Sequence, residues 1–227
     1  MSGGRRRVKL VGAVACLMLC CGWAQAQVAD VHQIAGRVDR FYNSLKSLKA
    51  DFEQSYRGAG IRRNESGTVW LKQPGRMRWE YRQPVAKVFV TDGHTAWLYV
   101  AGEQEARRTA VKNLDDLRSP LRYLLGKTRL EKEFAGLSLA PDVPPANAGD
   151  LVLRGVPKAM ADRIQQVLLE INPNSQIDRI VIEEGDGSTT EFRFRGIQAN
   201  SPAAESLFRS PIPPGVRIIE ANDLNPE

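Results

Sequence analysis

Cysteine is scarce in this chain: three among 227 residues, and all of them (Cys16, Cys20 and Cys21) lie within the first 26 positions. If that segment is a removable export signal, what remains can form no disulfide, bind no metal through thiolate and use no cysteine nucleophile. Histidine is scarcer still. His32 sits in a helical pattern and His94 beside a turn pattern. Neither has metal-ligand spacing or a nucleophile motif nearby, so both are read as solvated. A nucleophile elbow, a phosphate loop and a metalloprotease helix are all missing. Two adjacent carboxylate pairs, Asp115-Asp116 and Glu183-Glu184, are read as solvated, because neighbours on a strand face opposite sides and cannot act together. These absences predict a protein that is not an enzyme and has no cofactor and no metal. No segment is apolar for long enough to span a bilayer, since the Leu10 to Gly22 run is too short.

The N-terminus instead has the layout of a secretory signal. Arg5, Arg6, Arg7 and Lys9 precede the apolar run, and Ala24-Gln25-Ala26 presents small residues where a signal peptidase reads. Cleavage is expected after Ala26, giving a signal peptide over 1–26 and a single domain over 27–227. Leu19 stands before Cys20 and Cys20 before Cys21, which is no lipobox, so a soluble secreted product is expected. Removing the four basic residues of 1–26 leaves 28 basic against 26 acidic residues, a net charge of +2 in place of +6. The high pI therefore belongs mainly to the signal, and a nucleic-acid partner is not expected. The remaining 201 residues suffice for one core.

Periodicity then divides the chain. Val31, Ile34, Ala35, Val38, Phe41, Tyr42 and Leu45 recur at helical spacing within 28–46. From Leu48 the period drops to two. Strands are predicted from Leu48, over Gly67–Lys72, Arg76–Arg82, Lys87–Thr91 and Thr95–Val100, with Gln73-Pro74-Gly75 and Asp92-Gly93 as turns. Met77, Trp79 and Tyr81 share one face of the third of these; Arg76, Arg78 and Arg82 share the other and are read as solvated. A short helix is predicted over Ser119–Gly126, with Leu121, Leu124 and Leu125 on its apolar face. Further strands fall at Leu151–Arg154, Ile164–Ile171, Ile177–Glu183, Thr189–Ile197 and Val216–Ile219. Roughly nine to eleven strands with two helical segments predict a mainly β fold. The expected form is an open, strongly curved antiparallel sheet, a nearly closed barrel, with helices on its concave face. Trp70, Trp79 and Trp97 fall on its strands, where aromatics fill a core or line a ligand cavity.

Several segments, in order, resemble the periplasmic outer-membrane lipoprotein carrier family, LolA. Phe52-Glu53-Gln54 is similar to its Phe-x-Gln. The run from Gly67 to Tyr81, followed by Pro84, resembles its signature strand pair. Val90 to Tyr99 is similar to its Asp-Gly-x-x-x-Trp-x-Tyr segment, and Pro213-Pro214-Gly215-Val216 to its C-terminal Pro-x-Gly-Val. Ser119-Pro120-Leu121 with Leu124-Leu125 stands where the family has a lid helix. The resemblance implies an open β-barrel with a helical lid over a hydrophobic cavity, in the periplasm of a Gram-negative bacterium. It also implies a carrier, most simply a monomer, that takes acylated lipoproteins from an inner-membrane ABC exporter to an outer-membrane lipoprotein receptor. The candidate acyl-chain wall is Met77, Trp79 and Tyr81, roofed by Val31, Ile34, Val38, Leu121, Leu124 and Leu125. Two positions depart from the family pattern. Gln73 stands where the family commonly has a lid-tying arginine before the proline, and Val100-Ala101 replaces an Asp/Asn-Pro. Alternatives are a periplasmic lipid- or lipoprotein-binding paralogue (a sensor, or a carrier of another lipid), a lipid hydrolase, or an envelope scaffold with a filled core.

Overall fold

The computed structural model describes residues 30–113 and 129–221, with Met1 and Leu224. The predicted signal and the short helix of 119–126 lie outside the described residues. The chain opens with helix α1 (Val31–Ser44), which leads into strands β1 (Ser47–Gly58), β2 (Ile61–Lys72), β3 (Arg76–Gln83), β4 (Lys87–Thr91), β5 (Thr95–Val100) and β6 (Glu105–Ala110). Helix α2 (Leu130–Glu133) precedes β7 (Phe134–Leu139), β8 (Leu151–Pro157), β9 (Ile164–Ile171), β10 (Ile177–Glu184), β11 (Thr189–Ala199) and β12 (Arg217–Glu220).

All twelve strands form one sheet in the order β12-β6-β5-β4-β3-β2-β1-β11-β10-β9-β8-β7. Neighbours are antiparallel except β12, which runs parallel to β6. The outermost strands β12 and β7 do not pair, so the sheet is unclosed. It is also curved, because one core cluster unites Met77 and Trp79 of β3 with Leu153 of β8 and Leu169 of β9, strands far apart in the sheet. Two strands escaped the sequence reading. In β6 the buried positions are Ala106 and Thr109, too small and polar to mark a period; β7 is short and broken by Gly136, whose φ is +62°.

Alternation puts Leu48, Ala50, Phe52, Val69, Leu71, Met77 and Trp79 on the concave side, where α1 seats its buried face of Ile34, Ala35, Val38 and Tyr42. Asp30 starts that helix by accepting the His32 backbone N–H at 2.9 Å. Gly67 must be glycine for a simple reason. A Cβ there would stand 2.0 Å from the Glu80 carbonyl oxygen and 2.9 Å from the Phe52 ring.

Two connecting segments cover the convex side. The 140–150 loop packs Ala140 and Val143 on Val152, Leu168 and Val181. Buried Glu170 fastens it by accepting N–H bonds from Ala146 (2.8 Å) and Asn147 (3.0 Å) while pairing with Arg179 at 2.7 Å. The segment after β11 crosses the other half of the sheet. Asn200 accepts the Lys46 N–H at 2.8 Å, Lys72 donates to the Ala203 carbonyl at 2.7 Å, and Lys72 and Arg76 both pair with Glu205. Arg78 donates to the Leu207 carbonyl at 3.3 Å, and Phe208 is buried. Two of the outward arginines of β3, Arg76 and Arg78, are therefore not free in solvent as their alternation suggested, whereas Arg82 stays exposed. Arg76 and Arg78 hold this strap, and Arg82 donates to Thr68 at 2.5 Å.

Candidate ligand-binding face

The concave side carries an aromatic floor drawn from three strands. Trp79 of β3 meets Phe52 of β1 edge-on at 4.7 Å and lies 5.8 and 6.2 Å from Phe192 and Phe194 of β11. Phe52 also meets Tyr81 at 4.9 Å. Register explains the convergence: Phe52 lies opposite Phe194 on one side and Gly67 on the other, and Gly67 lies opposite Tyr81. The glycine leaves the space through which the rings of β1 and β3 meet across β2. Trp70 and Trp97 belong to the other side of the sheet, since the residues flanking each of them, Val69 and Leu71 or Ala96 and Leu98, are the inward ones.

The structure brings six of the candidate residues together. Met77 and Trp79, with 1 and 3% exposure, share a single cluster with Ile34 and Val38, and half-buried Tyr81 and Val31 pack against it. The sequence reading roofed this face with the first helix across a hollow left for a ligand; here α1 packs directly on it. Leu121, Leu124 and Leu125 are outside the described residues. Gln73 occupies the β2–β3 turn, where its N–H donates to the Lys46 carbonyl (3.0 Å) and its own carbonyl accepts from Arg76 (2.7 Å). Its backbone thus ties that turn to the link between α1 and β1. Phe192 and Phe194 were missed as site residues, although their alternation within Thr189–Ile197 marks them as sharing a strand face.

Three polar contacts hold α1 down. At its start His32 Nδ1 lies 2.7 Å from Glu131 of α2, and this hydrogen bond raises the imidazole pKa above its ordinary value. The pair is exposed and correspondingly weak, and His32 is solvated as expected while meeting this one partner. In the middle, Asp39 accepts the Leu130 N–H at 3.1 Å; burial pushes its carboxyl upward against that bond. Near its end, the buried Tyr42 hydroxyl accepts the Ile177 N–H at 2.9 Å, and burial drives the phenol pKa well up.

Polar groups enter the same concave surface beyond Tyr81. Lys87 lies opposite Tyr81 across β3–β4, and Glu65 lies opposite Gln54 across β1–β2. Their charges pair at 2.6 Å with both side chains buried; the ammonium sits 4.3 Å from the Tyr81 ring centroid, and the Tyr81 hydroxyl donates to Gln54 Oε1 at 3.0 Å. Burial raises the Tyr81 phenol pKa. The only sequence sign of this group was charge at inward positions of otherwise apolar strands.

Two cavities open on the described part of the molecule. One of about 520 Å³ adjoins this polar group, with Gln54 and Glu65 in its wall beside Glu53, Asn64 and Arg193. The other, about 340 Å³, lies beside the 140–150 loop, lined by Asn147, Asn172, Asp178, Arg193 and Arg195. At Asp178 burial, reinforced by nearby Asp150, pushes the pKa up to about 6. Among the described residues no three His, Cys, Asp or Glu side chains are grouped to hold a metal ion.

Comparison with known proteins gives one consistent result. The family profile described as "Outer membrane lipoprotein carrier protein LolA" matches residues 43–211. An outer-membrane lipoprotein carrier protein of Cupriavidus taiwanensis is 26% identical over 223 residues, covering 95% of this chain and 99% of its own. One from Alkalilimnicola ehrlichii is 29% identical over 221 residues, covering 95 and 97%. Among solved structures, an uncharacterized conserved protein from Thermus thermophilus superposes with a TM-score of 0.50 at 14% identity, covering 84% of this chain and 98% of that one, a likeness of fold alone.

Proposed function

This chain belongs to the outer membrane lipoprotein carrier protein LolA family, and we propose that it ferries acylated lipoproteins across the periplasm of a Gram-negative bacterium. In this reading it is exported, cleaved after Ala26 and works as a monomeric single domain over 27–227. It receives cargo from an inner-membrane ABC exporter and yields it to an outer-membrane receptor lipoprotein. The supporting observation is the seating of one amphipathic helix on an aromatic floor inside an unclosed sheet.

An acyl chain loses about 0.8 kcal/mol for every methylene moved from an apolar environment into water. A carrier must replace that burial without exceeding the hold of the destination. Helix α1 supplies the exchange: its aliphatic residues cover Met77 and Trp79 when cargo is absent, and acyl chains take their place when it is present. One set of apolar contacts replaces another, so the net free-energy change is small and loading is reversible. Leu121, Leu124 and Leu125 extend this roof, and Gln73 gates it through the turn tied to the link between α1 and β1. The process needs binding and release, with no covalent step by the carrier.

Tryptophan placement allows a direct test. In a mature chain carrying Trp70→Phe and Trp97→Phe, Trp79 is the remaining reporter, and it belongs to the floor. A lipopeptide with brominated acyl chains should quench its emission strongly. In the converse chain, Trp79→Phe, the two tryptophans of the other side should respond little. Equal quenching in both chains, or none in either, would sink the assignment.

A further inference from the structure

The Lys87–Glu65 pair has no evident use in holding the sheet together. Both side chains are almost fully buried, at 6 and 7% exposure, and taking two charges out of water costs several kcal/mol per ion. Well-packed apolar residues of similar volume serve stability as well or better. Elsewhere the inward positions of these strands carry no charge: Val69 and Leu71 on β2, Phe89 and Thr91 on β4. The pair also stands at the end of the aromatic floor. Trp79 touches Phe52, Phe52 touches Tyr81, and Tyr81 lies under the ammonium.

We propose that Lys87, with Tyr81 and Gln54 beside it, binds the ester and amide carbonyl oxygens at the head of the acyl chains whose tails lie on Trp79 and Phe52. This rests on the carrier reading and gives it a specificity element. The chemistry matches. An acylated ligand has an apolar tail joined to a linkage made of hydrogen-bond acceptors, and the floor is an apolar surface ending in donors. Lysine has three N–H donors, of which the ion pair occupies one. Glu65 holds the ammonium in position, and the Tyr81 ring supports it from one side. The Gln54 amide, whose oxygen is taken by the Tyr81 hydroxyl, retains its NH₂ as a donor. Charge-assisted bonds to carbonyls in this water-poor setting are stronger than those between neutral groups. They fix where the chains stop, so that cargo of one linkage is held in one register.

The test compares two synthetic lipopeptides with the same peptide and chain length. One carries ester-linked acyl chains and the other ether-linked alkyl chains, which lack the carbonyls. The unaltered protein should bind the ester form about tenfold more tightly. In the Lys87→Met/Glu65→Leu double variant, which removes both charges together and orphans neither, the ratio of the two affinities should fall to about one. A third probe, a phospholipid with the same ester-linked chains, separates the sources of the carbonyl. Binding equal to the lipopeptide means that the linkage alone is read; weaker binding means that it is read in its peptide setting. Equal affinity of the unaltered protein for ester and ether forms, or an ester preference that survives in the variant, would overturn the proposal. Should the unaltered protein bind none of the probes, the carrier reading itself fails, an outcome distinct from uptake without preference. A spectroscopic readout avoids the variant altogether. The stretching frequency of an isotopically labelled ester carbonyl should drop on binding, and an unshifted band would equally reject the assignment.

Discussion

At Tyr42 a single hydroxyl joins α1 to the backbone of β10. The pairing of β10 with β11 begins at Arg179 opposite Arg193, so the Ile177 N–H has no partner on β11, and the Tyr42 oxygen accepts it. Tyr42→Phe keeps the ring and leaves that N–H buried and unpaired. The expected loss is about 1–3 kcal/mol, seen as a lower urea midpoint with an unchanged slope. A change below about 0.5 kcal/mol would mean that the hydroxyl is dispensable. Asp178 offers a test in pH. Its carboxyl goes from an ordinary 3.8 up to about 6 in the folded chain, with burial the largest cause and the nearby Asp150 carboxylate next. Between these values the folded state holds a proton that the unfolded state has released, so this group's contribution falls as pH rises from about 4 to 6. Above 6 a charge is held in an unfavourable place. Asp178→Asn should therefore raise Tm at pH 7 and flatten the dependence of Tm on pH across that interval. An unchanged pH profile would remove Asp178 as its source.

At the scale of elements, the strap after β11 shows which forces hold a loop against a sheet. Glu205 pairs with Lys72 and Arg76 but is itself 60% exposed, whereas Phe208 is 2% exposed. Burial should outweigh charge here. Phe208→Ala is expected to cost about 3–5 kcal/mol, and Glu205→Ala less than about 1 kcal/mol, both read by chemical denaturation. The reverse order would mean that the strap is electrostatically fastened. The strap also marks the limit of what the sequence discloses. Alternation identified β3 and the shared face of Met77, Trp79 and Tyr81, and helical spacing identified α1, because each buries one face against one partner. Those periods carry no record of what covers the second face. Arg76 and Arg78 look solvent-bound in a strand taken alone and become strap anchors only when residues from the far end of the chain arrive. The same blindness hid Lys87 and Glu65, whose pairing depends on the register of three strands, β2, β3 and β4. The cover of Met77 and Trp79 was legible as an apolar helix, but not as one packed directly on them with no hollow between.

For the whole molecule, the prediction concerns exchange of roof for cargo. If acyl chains displace α1, loading with a lipopeptide should speed amide hydrogen exchange across Val31–Ser44 and leave β1, β2 and β11 as protected as before. Uniform protection of α1 and sheet alike would point to binding away from the aromatic floor. The strand order has another outcome. Next-door strands β2 to β6 and β7 to β10 follow one another in the chain, while β1 and β11 meet from opposite ends of it. Pairings between successive strands close short loops; the β1–β11 seam closes a long one and comes at a greater entropic cost. Phe52 and Phe194 face each other across that seam. Under the export proposed above, an emerging chain can pair β1 to β6 early but completes the aromatic floor only when β11, almost its last strand, brings Phe192 and Phe194 beside Phe52 and Trp79.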